Sequence, residues 1–452
     1  MEKPRLFEKI LLCVIGYGNI YMLIIAANDS VKRDFQKDGG NLMKHAWLPI
    51  ILLTTIYILA GCNLDSPTDS GGDGGDDGGD DLSVTITNPG DMTSFLEGVE
   101  IEFMSTALDY EGNTMTGTDL VWTSDMDGEL GTGRNLDTYG LSVNTHVITL
   151  TATDSEGYTG SASITIDVEP TDVLVSVPSV AAFPMGWDDN DGNVDHEEPV
   201  HTVSLDAFRI GRYEVTYTLW TEVKAYADSH GYVINVGMMG DGAGRTPAHP
   251  VTDIHWRDCI AWCNAYSEME GLTPVYYTDE TRTNLYKDAS SSGDGDISSD
   301  CVAWSADGFR LLTEAEWEYA ARYIDGSSCI PGNEHAGFNL NENVDACAWF
   351  RANTYNNSKP VGQLQPNSLG LYDMSGNGEE WCWDKYQDDY YSESPDSNPL
   401  GPDTGIYRIC RGGAYSFDGT SPYGQVCHRF AYNPLLKHSA RTFRVCRTGS
   451  GE

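Results

Sequence analysis

The chain has 452 residues, a formal net charge of -41 and a sequence pI near 4.3. A chain this acidic repels a phosphate backbone, so its composition excludes nucleic acid as a partner. Its length allows roughly two or three domains, and its many glycine, tyrosine and tryptophan residues favour short strands and ordered loops over a helical bundle.

The first segment, residues 1–42, contains an apolar run at positions 10–27. This run could be a separate membrane segment. The alternative is that residues 1–42 are an over-extended gene start and that translation begins at Met43. The second interpretation is favoured because the next apolar run has the features of a signal peptide, which belongs at the start of a protein.

Residues 43–62 resemble a bacterial lipoprotein signal peptide. Positions 43–45 read Met-Lys-His, an apolar region covers 47–59, and 59–62 read Leu-Ala-Gly-Cys, which matches the lipobox cut before a lipid-modified cysteine. The apolar run is short for a transmembrane span. We therefore expect lipid on Cys62 to anchor the protein to a bacterial membrane in the cell envelope. Asn63 after that cysteine favours the outer membrane if the host has one.

Residues 63–81 follow as a segment composed almost entirely of Gly, Asp and Ser. Such a composition cannot bury enough apolar surface to fold, and like charges along it repel one another. We expect an extended tether that holds the folded part away from the membrane surface.

Between residues 82 and 169, apolar and polar residues alternate, for example at Val84 and Ile86 and again at 148–152, which predicts half-buried strands. Turn signals such as Asn-Pro-Gly at 88–90 separate the strands. The pattern predicts an all-β antiparallel sandwich of immunoglobulin size with Trp122 at its centre. The runs at 121–128 and 146–154 resemble bacterial Ig-like and PKD-like modules, which implies a spacer or adhesive unit.

Between residues 173 and 448, several sequence motifs match those of one protein family. Positions 183–186 read Phe-Pro-Met-Gly, 213–216 read Tyr-Glu-Val-Thr, and 370–381 read Gly-Leu-Tyr-Asp-Met-Ser-Gly-Asn-Gly-Glu-Glu-Trp. This stretch resembles the formylglycine-generating enzyme family, also called the sulfatase-modifying-factor family. The resemblance implies an α+β domain with a variant of the C-type lectin fold and much irregular structure.

The segment at 310–322 is diagnostic of the same family, and its residues also predict a helix without the resemblance. Thr313 is a natural N-cap and Glu316 completes a capping box, so a helix should begin here. Trp317 and the following alanines would share its packed face. An earlier helix is predicted over 252–269. Near the C-terminus, Arg444 is expected to form an ion pair with an acidic residue.

The resemblance places a structural calcium site at Asp373, Gly376, Gly378 and Glu380. Carboxylates together with main-chain oxygens in a glycine-rich turn suit this hard cation. The alternative is a hydrogen-bonded turn without an ion. Positions 378–379 read Gly-Glu where the family commonly has Val-Trp.

Catalytic members of the family oxidise a substrate cysteine with oxygen and hold Cu(I) with two thiolates that follow an Arg-Gly-Gly-Ser segment. Two soft ligands are needed because Cu(I) prefers thiolates in low coordination. Here Arg-Gly-Gly is present at 411–413, but Ala414 replaces the serine and Phe417 stands at the first cysteine position. Cys427 is the candidate for the second cysteine, at a longer spacing than the active pattern has.

The cysteine count gives a further expectation. Without Cys13 and Cys62, nine cysteines remain, which is compatible with four disulfides and one spare thiol in an oxidising compartment. In the family, the motifs beside Cys410 and Cys446 lie on neighbouring strands, which implies a disulfide between these two residues. Cys427 could be the spare thiol or could be bridged.

Two functions follow from these features. The favoured one is a cell-surface lipoprotein whose domain has lost the copper oxidase site and binds a peptide, protein or glycan in a groove that Tyr415, Phe417 and Phe430 would line. The alternative is an oxidase that converts a cysteine of an exported sulfatase to formylglycine, with Cys427 as copper ligand. Calcium is expected as a structural ion in both, and copper under the alternative alone.

Overall fold

The computed structural model describes residues 11–16, 19–24, 82–188, 196–290, 297–337, 344–419 and 422–449. The predicted signal peptide with Cys62, and the predicted tether at 63–81, lie outside the described residues. In the N-terminal unit, residues 1–76, strands β1 (Leu11–Gly16) and β2 (Asn19–Ile24) pair antiparallel. The apolar run at 10–27 therefore contains a hairpin. No helix within the described residues is long and apolar enough to cross a membrane.

Two sheets form a sandwich at the start of the second unit. Its strands are β3 (Ser83–Asn88), β4 (Thr93–Leu96), β5 (Ile101–Leu108), β6 (Leu120–Ser124), β7 (Gly128–Thr132), β8 (Asn135–Thr138), β9 (Asn144–Thr153) and β10 (Thr159–Glu169). One sheet has the order β4-β10-β9-β6-β7 and the other β3-β5-β8. Both sheets contribute to one core around Trp122, which is fully buried, packs 5.3 Å from the Phe103 ring and donates a hydrogen bond to Gly133 O. The predicted central position of Trp122 is confirmed.

The main domain combines many short strands with few helices. Its strands are β11 (Leu174–Val177), β12 (Val180–Met185), β13 (His201–Leu205), β14 (Phe208–Gly211), β15 (Met238–Met239), β16 (Val251–Thr252), β17 (Arg310–Leu311), β18 (Tyr323–Asp325), β19 (Ser328–Cys329), β20 (Glu379–Lys385), β21 (Arg408–Arg411), β22 (Phe430–Tyr432), β23 (Arg441–Thr442) and β24 (Val445–Thr448). Its helices are α1 (Tyr217–Ser229), α2 (Trp256–Met269), α3 (Glu314–Arg322) and α4 (Arg351–Thr354). The predicted α+β class is confirmed.

Two four-stranded sheets organise this domain, with the orders β11-β14-β24-β17 and β22-β21-β20-β23. Helix α3 is capped as predicted: the Thr313 hydroxyl accepts from Glu316 N, and the Glu316 carboxylate accepts from Thr313 N. Helix α2 begins at Trp256, four residues later than predicted, because Thr252 pairs with Met238 in a two-stranded sheet and Asp253 has a positive φ of 55°.

A buried network of ion pairs joins helix α3 to these sheets. Both oxygens of Glu318 are used, since Arg322 Nη1 lies 2.6 Å from one and Arg411 Nη2 lies 2.6 Å from the other. Glu314 accepts two hydrogen bonds from Arg429, at 2.7 and 2.9 Å. Burial opposes the ionisation of Glu318, but the charges of Arg411 and Arg322 outweigh it and lower the pKa of this carboxyl. Glu318 is therefore ionised within the network, and each of its oxygens is paired with a guanidinium group.

Removing one charge from this network should destabilise the whole domain. The substitution Glu318→Gln leaves two buried guanidinium groups without their shared counter-charge, and breaking a buried pair in this way costs about 3–5 kcal/mol. Urea unfolding measures the loss. The control Asp228→Asn removes a surface partner of Lys224, where one exposed pair contributes roughly 1 kcal/mol or less. Equal effects of the two substitutions would contradict the role of the network.

Candidate functional site

The turn after strand β21 begins the candidate site. Gly412 and Gly413 have positive φ values of 90° and 74°, and a Cβ on Gly413 would lie 2.3 Å from Tyr423 O. Glycine is required here because the backbone of the next segment passes so close. The turn buries Ala414 completely and brings Phe417 against strand β22.

Four aromatic side chains form what we call the aromatic row: Phe417, Tyr423, Phe430 and Tyr432. The Phe417 ring stacks 5.5 Å from the Phe430 ring, and Phe430 stacks 6.0 Å from Tyr432. Tyr423 packs 5.4 Å from Phe417 and is 46% exposed. The predicted proximity of Phe417 and Phe430 is thus seen, with Tyr423 as the exposed edge of the row.

The last ring of the row is held by a buried carboxylate. The Tyr432 hydroxyl donates to Glu379 at 2.6 Å, and Arg441 lies 3.4 Å above the Tyr432 ring and 3.2 Å from Glu379. Glu379 stands where the family commonly has tryptophan. Glu379 therefore holds Tyr432 at the end of the aromatic row, and Arg441 neutralises the charge of Glu379.

A cleft of about 460 Å³ adjoins the row, and we call it the Cys427 cleft. It is lined by Trp187, His196, Glu197, Glu198, Asn333, Pro422, Gln425, Cys427 and His428. His428 belongs to both features: its ring lies 4.6 Å from Phe430 and 5.2 Å from Tyr423, while its Nδ1 lies 3.0 Å from Glu197 Oε1. The row and the cleft form one continuous face.

The Glu197 carboxylate of the Cys427 cleft is held by its neighbours. Burial opposes the ionisation of Glu197, but the hydrogen bond and charge of His428 outweigh it and hold the pKa of Glu197 below its usual range. The backbone N–H of Arg429 also donates to this carboxylate at 3.2 Å. The cleft thus offers a fixed carboxylate and an imidazole at its junction with apolar rings.

Cys427 lies at the floor of this cleft and is 3% exposed. Burial raises the pKa of its thiol, and the carboxylates of Glu318 and Glu197 raise it further. Cys427 is therefore protonated at neutral pH. No second cysteine is among the residues that line the cleft, and within the described part of the chain no three His, Cys, Asp or Glu side chains are grouped to hold a metal ion.

Tyr415 occupies a different position from the one predicted. It is buried, and its hydroxyl donates to Asp241, whose carboxylate also accepts from Ser439 at 3.0 Å. The side chain is therefore used to hold the segment around Asp241 against the C-terminal part of the domain. Tyr415 does not line the Cys427 cleft and is not a member of the aromatic row.

The two carboxylates predicted to bind calcium differ in whether their oxygens are already paired. Both oxygens of Glu380 are taken, because Arg444 donates to them at 2.6 and 2.7 Å and Trp317 donates at 2.8 Å. The acidic partner expected for Arg444 is thus Glu380. Asp373, in contrast, uses one oxygen to accept from Gly362 N and leaves Oδ1 without a partner in the described residues.

A second carboxylate lies beside Asp373. Glu214 Oε2 accepts from Asn377, but its Oε1 has no partner in the described residues. Burial raises the pKa of Asp373 to about 6, and burial together with the charge of Asp373 raises the pKa of Glu214. Two buried, unpaired carboxylate oxygens fit a hard cation, whereas Glu380 does not. Gly378 has another role: a Cβ there would lie 2.8 Å from Glu214 Oε1.

The predicted disulfides are not formed. Within the described part of the main domain no cysteine forms a disulfide; the nine residues are Cys259, Cys263, Cys301, Cys329, Cys347, Cys382, Cys410, Cys427 and Cys446. The expected pair of Cys410 and Cys446 is wrong because these residues lie in different sheets. Cys410 is opposite Phe430, and Cys446 is opposite Ile210 and Arg310. Arg310 donates to Cys446 Sγ at 2.9 Å.

Sequence reasoning missed the wall of the cleft that comes from residues 187 and 196–198. These positions are distant along the chain from Cys427, so no local motif connects them to it. The buried positions of Glu314 and Glu318 on helix α3 were also not predicted. Their i, i+4 spacing on the packed side of Trp317 was the available signal.

Known proteins resemble this chain in the main domain. Residues 167–448 match the model of the sulfatase-modifying factor enzyme 1-like domain. A chaperone protein LppX of Paenibacillus barcinonensis is 33% identical over 238 residues, which are 47% of this chain and 71% of that protein. A formylglycine-generating enzyme of Streptomyces coelicolor is 31% identical over 285 residues, 57% of this chain and 79% of the relative. The solved structure of Treponema denticola variable protein 1 has a TM-score of 0.49 and 28% identity, and the match covers 67% of this chain and 99% of that one.

The Cys427 thiol should resist alkylation in the folded protein. Its raised pKa keeps it protonated at neutral pH, so iodoacetamide should react with it slowly, and the rate should increase only as the pH rises above the usual thiol range. Mass spectrometry of tryptic peptides, with and without urea, measures the difference. Rapid labelling of folded Cys427 at neutral pH would contradict the assigned environment.

Proposed function

This chain belongs to the sulfatase-modifying factor family, that of the formylglycine-generating enzymes, and from this premise we propose that it is a binding member of the family without the copper oxidase site. The observation that carries the proposal is the position of Phe417. By the resemblance, this residue stands where an active enzyme has its first copper-binding cysteine, and its ring is stacked into the aromatic row. A phenyl ring supplies no ligand for Cu(I).

The remaining thiol does not replace the missing one. Cys427 is buried and protonated, and its cleft offers no second sulfur among the lining residues. Copper therefore does not fit these residues, and no oxidative step is derived through it. The alternative function, oxidation of a cysteine in an exported sulfatase, would need a two-thiolate site that this face lacks.

The face is suited to a polypeptide segment. Tyr423 and the half-buried Phe417 offer ring surface with little conformational entropy to lose, and the pair of His428 and Glu197 offers hydrogen-bonding groups beside it. Apolar anchoring next to fixed polar groups is the usual composition of a binding pocket. The name of the LppX relative, a chaperone protein, supports a ligand of this class. A glycan is the other ligand that such rings could accept.

Binding can be tested with the whole chain and a fluorescent library of short peptides that contain aromatic or aliphatic residues. We expect peptides to bind, and Tyr423→Ala to weaken them by about tenfold, as truncation of an aromatic anchor does. Tyr407→Ala is the matched control, because Tyr407 is similarly exposed, at 42%, and lies outside the row. Binding that both substitutions leave unchanged, or binding of glycans in place of peptides, would contradict the proposed ligand class.

We also propose that a structural calcium ion is held by Asp373 and Glu214, with main-chain oxygens completing its shell. Calcium should raise the melting temperature of the protein, because an ion that binds the folded state alone stabilises it. Asp373→Asn should abolish this response and raise the melting temperature of the calcium-free protein, because it removes a carboxyl whose ionised form is disfavoured by burial. Asp228→Asn, on the surface, is the control. A calcium response that survives Asp373→Asn would contradict this ligand set.

The lipid anchor remains a proposal of the same kind: Cys62 would carry lipid and hold the protein at a bacterial membrane, the outer membrane where the host has one. Metabolic labelling with an alkyne fatty acid in a bacterial host tests it. We expect Cys62→Ser to abolish incorporation and Cys13→Ser to preserve it. Labelling that persists in Cys62→Ser would overturn the proposed anchor.

A further inference from the structure

Two exposed tyrosine rings meet at one end of the β-sandwich, and we call them the tyrosine pair. Tyr110 follows strand β5 and is 50% exposed, and Tyr158 precedes strand β10 and is 41% exposed. Their ring centroids lie 6.5 Å apart, and the ring planes are inclined at 65°. Neither ring belongs to the core around Trp122. The pair is therefore accessible to a partner, and the packing of the sandwich does not account for it.

The two turns that carry these rings have the same construction. Residues 109–113 read Asp-Tyr-Glu-Gly-Asn, and residues 154–158 read Asp-Ser-Glu-Gly-Tyr. In each turn the aspartate carboxylate accepts from two backbone N–H groups, at 3.0 and 2.7 Å in the first turn and at 3.0 and 2.9 Å in the second. Gly112 and Gly157 have positive φ values of 85° and 93°. Both turns are thereby fixed, so little backbone freedom is lost when a ligand binds.

Each turn also places a glutamate beside the tyrosine pair. Glu111 Oε1 accepts from the Tyr110 hydroxyl at 3.3 Å, and Glu156 has the equivalent position in the second turn. The charges of Glu111 and Glu156 both raise the pKa of the Tyr110 hydroxyl, because both carboxylates lie within electrostatic range of it. Both glutamates are exposed. The accessible rings therefore have negative charge at their rim.

The whole sandwich carries charge of the same sign. Between residues 82 and 169 the sequence has fifteen aspartates and glutamates and one lysine or arginine, Arg134. Such a module repels anions and attracts cations over distances of about 10 Å at moderate ionic strength. A partner that docks at this end of the sandwich is therefore expected to present positive charge.

The geometry of the tyrosine pair suits an ammonium group. A cation within about 6 Å of a ring centroid is attracted by the electron-rich face of the ring, and two inclined rings can both reach one such group. The carboxylates of Glu111 and Glu156 add charge attraction beside the rings. A lysine side chain supplies its ammonium at the end of an apolar stem, which can lie along the rings. A neutral sugar would use the rings alone and gain nothing from the carboxylates.

From these features we propose that the tyrosine pair, with Glu111 and Glu156, binds a lysine side chain in an exposed segment of a partner protein. The sandwich is then an adhesive unit and not merely a spacer. The site lies outside the main domain and does not depend on the peptide-binding function proposed for the aromatic row.

The test uses the full chain and fluorescence anisotropy with a labelled peptide of alternating lysine and glycine. A peptide of the same sequence with every lysine acetylated is the matched probe, because acetylation keeps the apolar stem and removes the charge. We expect the lysine peptide to bind, the acetylated peptide to bind at least about tenfold more weakly, and the affinity of the lysine peptide to fall as salt is added. No binding of the lysine peptide, or equal binding of the two peptides, would overturn the proposal.

Tyrosine variants locate the site. Tyr110→Ala and Tyr158→Ala should each weaken the lysine peptide about two- to fivefold, the worth of one exposed cation–π contact. Tyr139→Ala is the matched control, because Tyr139 is 54% exposed and lies at the other end of the sandwich, where Thr138 pairs with Ile101 at the start of β5. Unchanged affinity in both Tyr110→Ala and Tyr158→Ala, or an equal loss in Tyr139→Ala, would contradict the assigned site.

Charge variants separate this site from the general acidity of the sandwich. The double variant Glu111→Gln with Glu156→Gln removes two charges beside the tyrosine pair. The double variant Glu102→Gln with Asp137→Asn removes two exposed charges that face each other on β5 and β8, toward the other end of the sandwich. The first should weaken the lysine peptide several-fold more than the second, because it removes the carboxylates next to the ammonium. Equal losses would show that the peptide follows the overall field, and the proposed site would then be wrong.

One further variant distinguishes the tyrosine pair from the face proposed to bind peptides. Tyr423→Ala should leave the affinity for the lysine peptide unchanged, because Tyr423 belongs to the aromatic row of the main domain. Binding of the lysine peptide that is lost in Tyr423→Ala and kept in Tyr110→Ala would place the lysine on the aromatic row and overturn the proposal.

Discussion

The buried carboxylate of Glu318, shared between Arg322 and Arg411, is the interaction on which the main domain depends. Three charged groups that water would otherwise solvate are taken into the interior, where the cost of desolvation is recovered only if each finds its partners. Glu318 does so by also accepting from Gly186 N. Helix α3, the end of strand β12 and strand β21 are thereby held in a single arrangement. Displacing one of them alone would leave a charged group without its partner.

The same network positions the Cys427 cleft. Arg411 donates through Nη1 to Val426 O and His428 O, so the backbone on both sides of Cys427 is fixed from within. Arg429, paired with Glu314, donates to His196 O and through its backbone to Glu197. The walls of the Cys427 cleft are therefore set by arginines that are not among its lining residues. The Cys427 thiol is buried, and Tyr423 is the exposed member of the aromatic row.

Local features of the fold could be predicted because their causes are local. The capping box at Thr313 and the alternation that buries Trp122 depend on residues a few positions apart. The cleft could not be predicted, because Glu197 and Arg429 are 232 positions apart in the sequence and no short motif encodes their contact. The same limit explains the error over Cys410 and Cys446, where two cysteine-bearing strands belong to separate sheets. The turn that contains Asp373 could be recognised by its motif, but the unpaired oxygen of Glu214 comes from a segment far upstream in the sequence.

The central claim is that this member of the family kept the fold and lost the oxidase site. Anaerobic titration of the full chain with Cu(I), followed by incubation in air with a Cys-x-Pro-x-Arg peptide and mass spectrometry for the aldehyde, tests it most directly. We expect no stoichiometric copper binding at Cys427 and no conversion of the peptide cysteine to formylglycine. Tight binding of one Cu(I) per chain together with turnover of the peptide, both lost in Cys427→Ser, would contradict the claim.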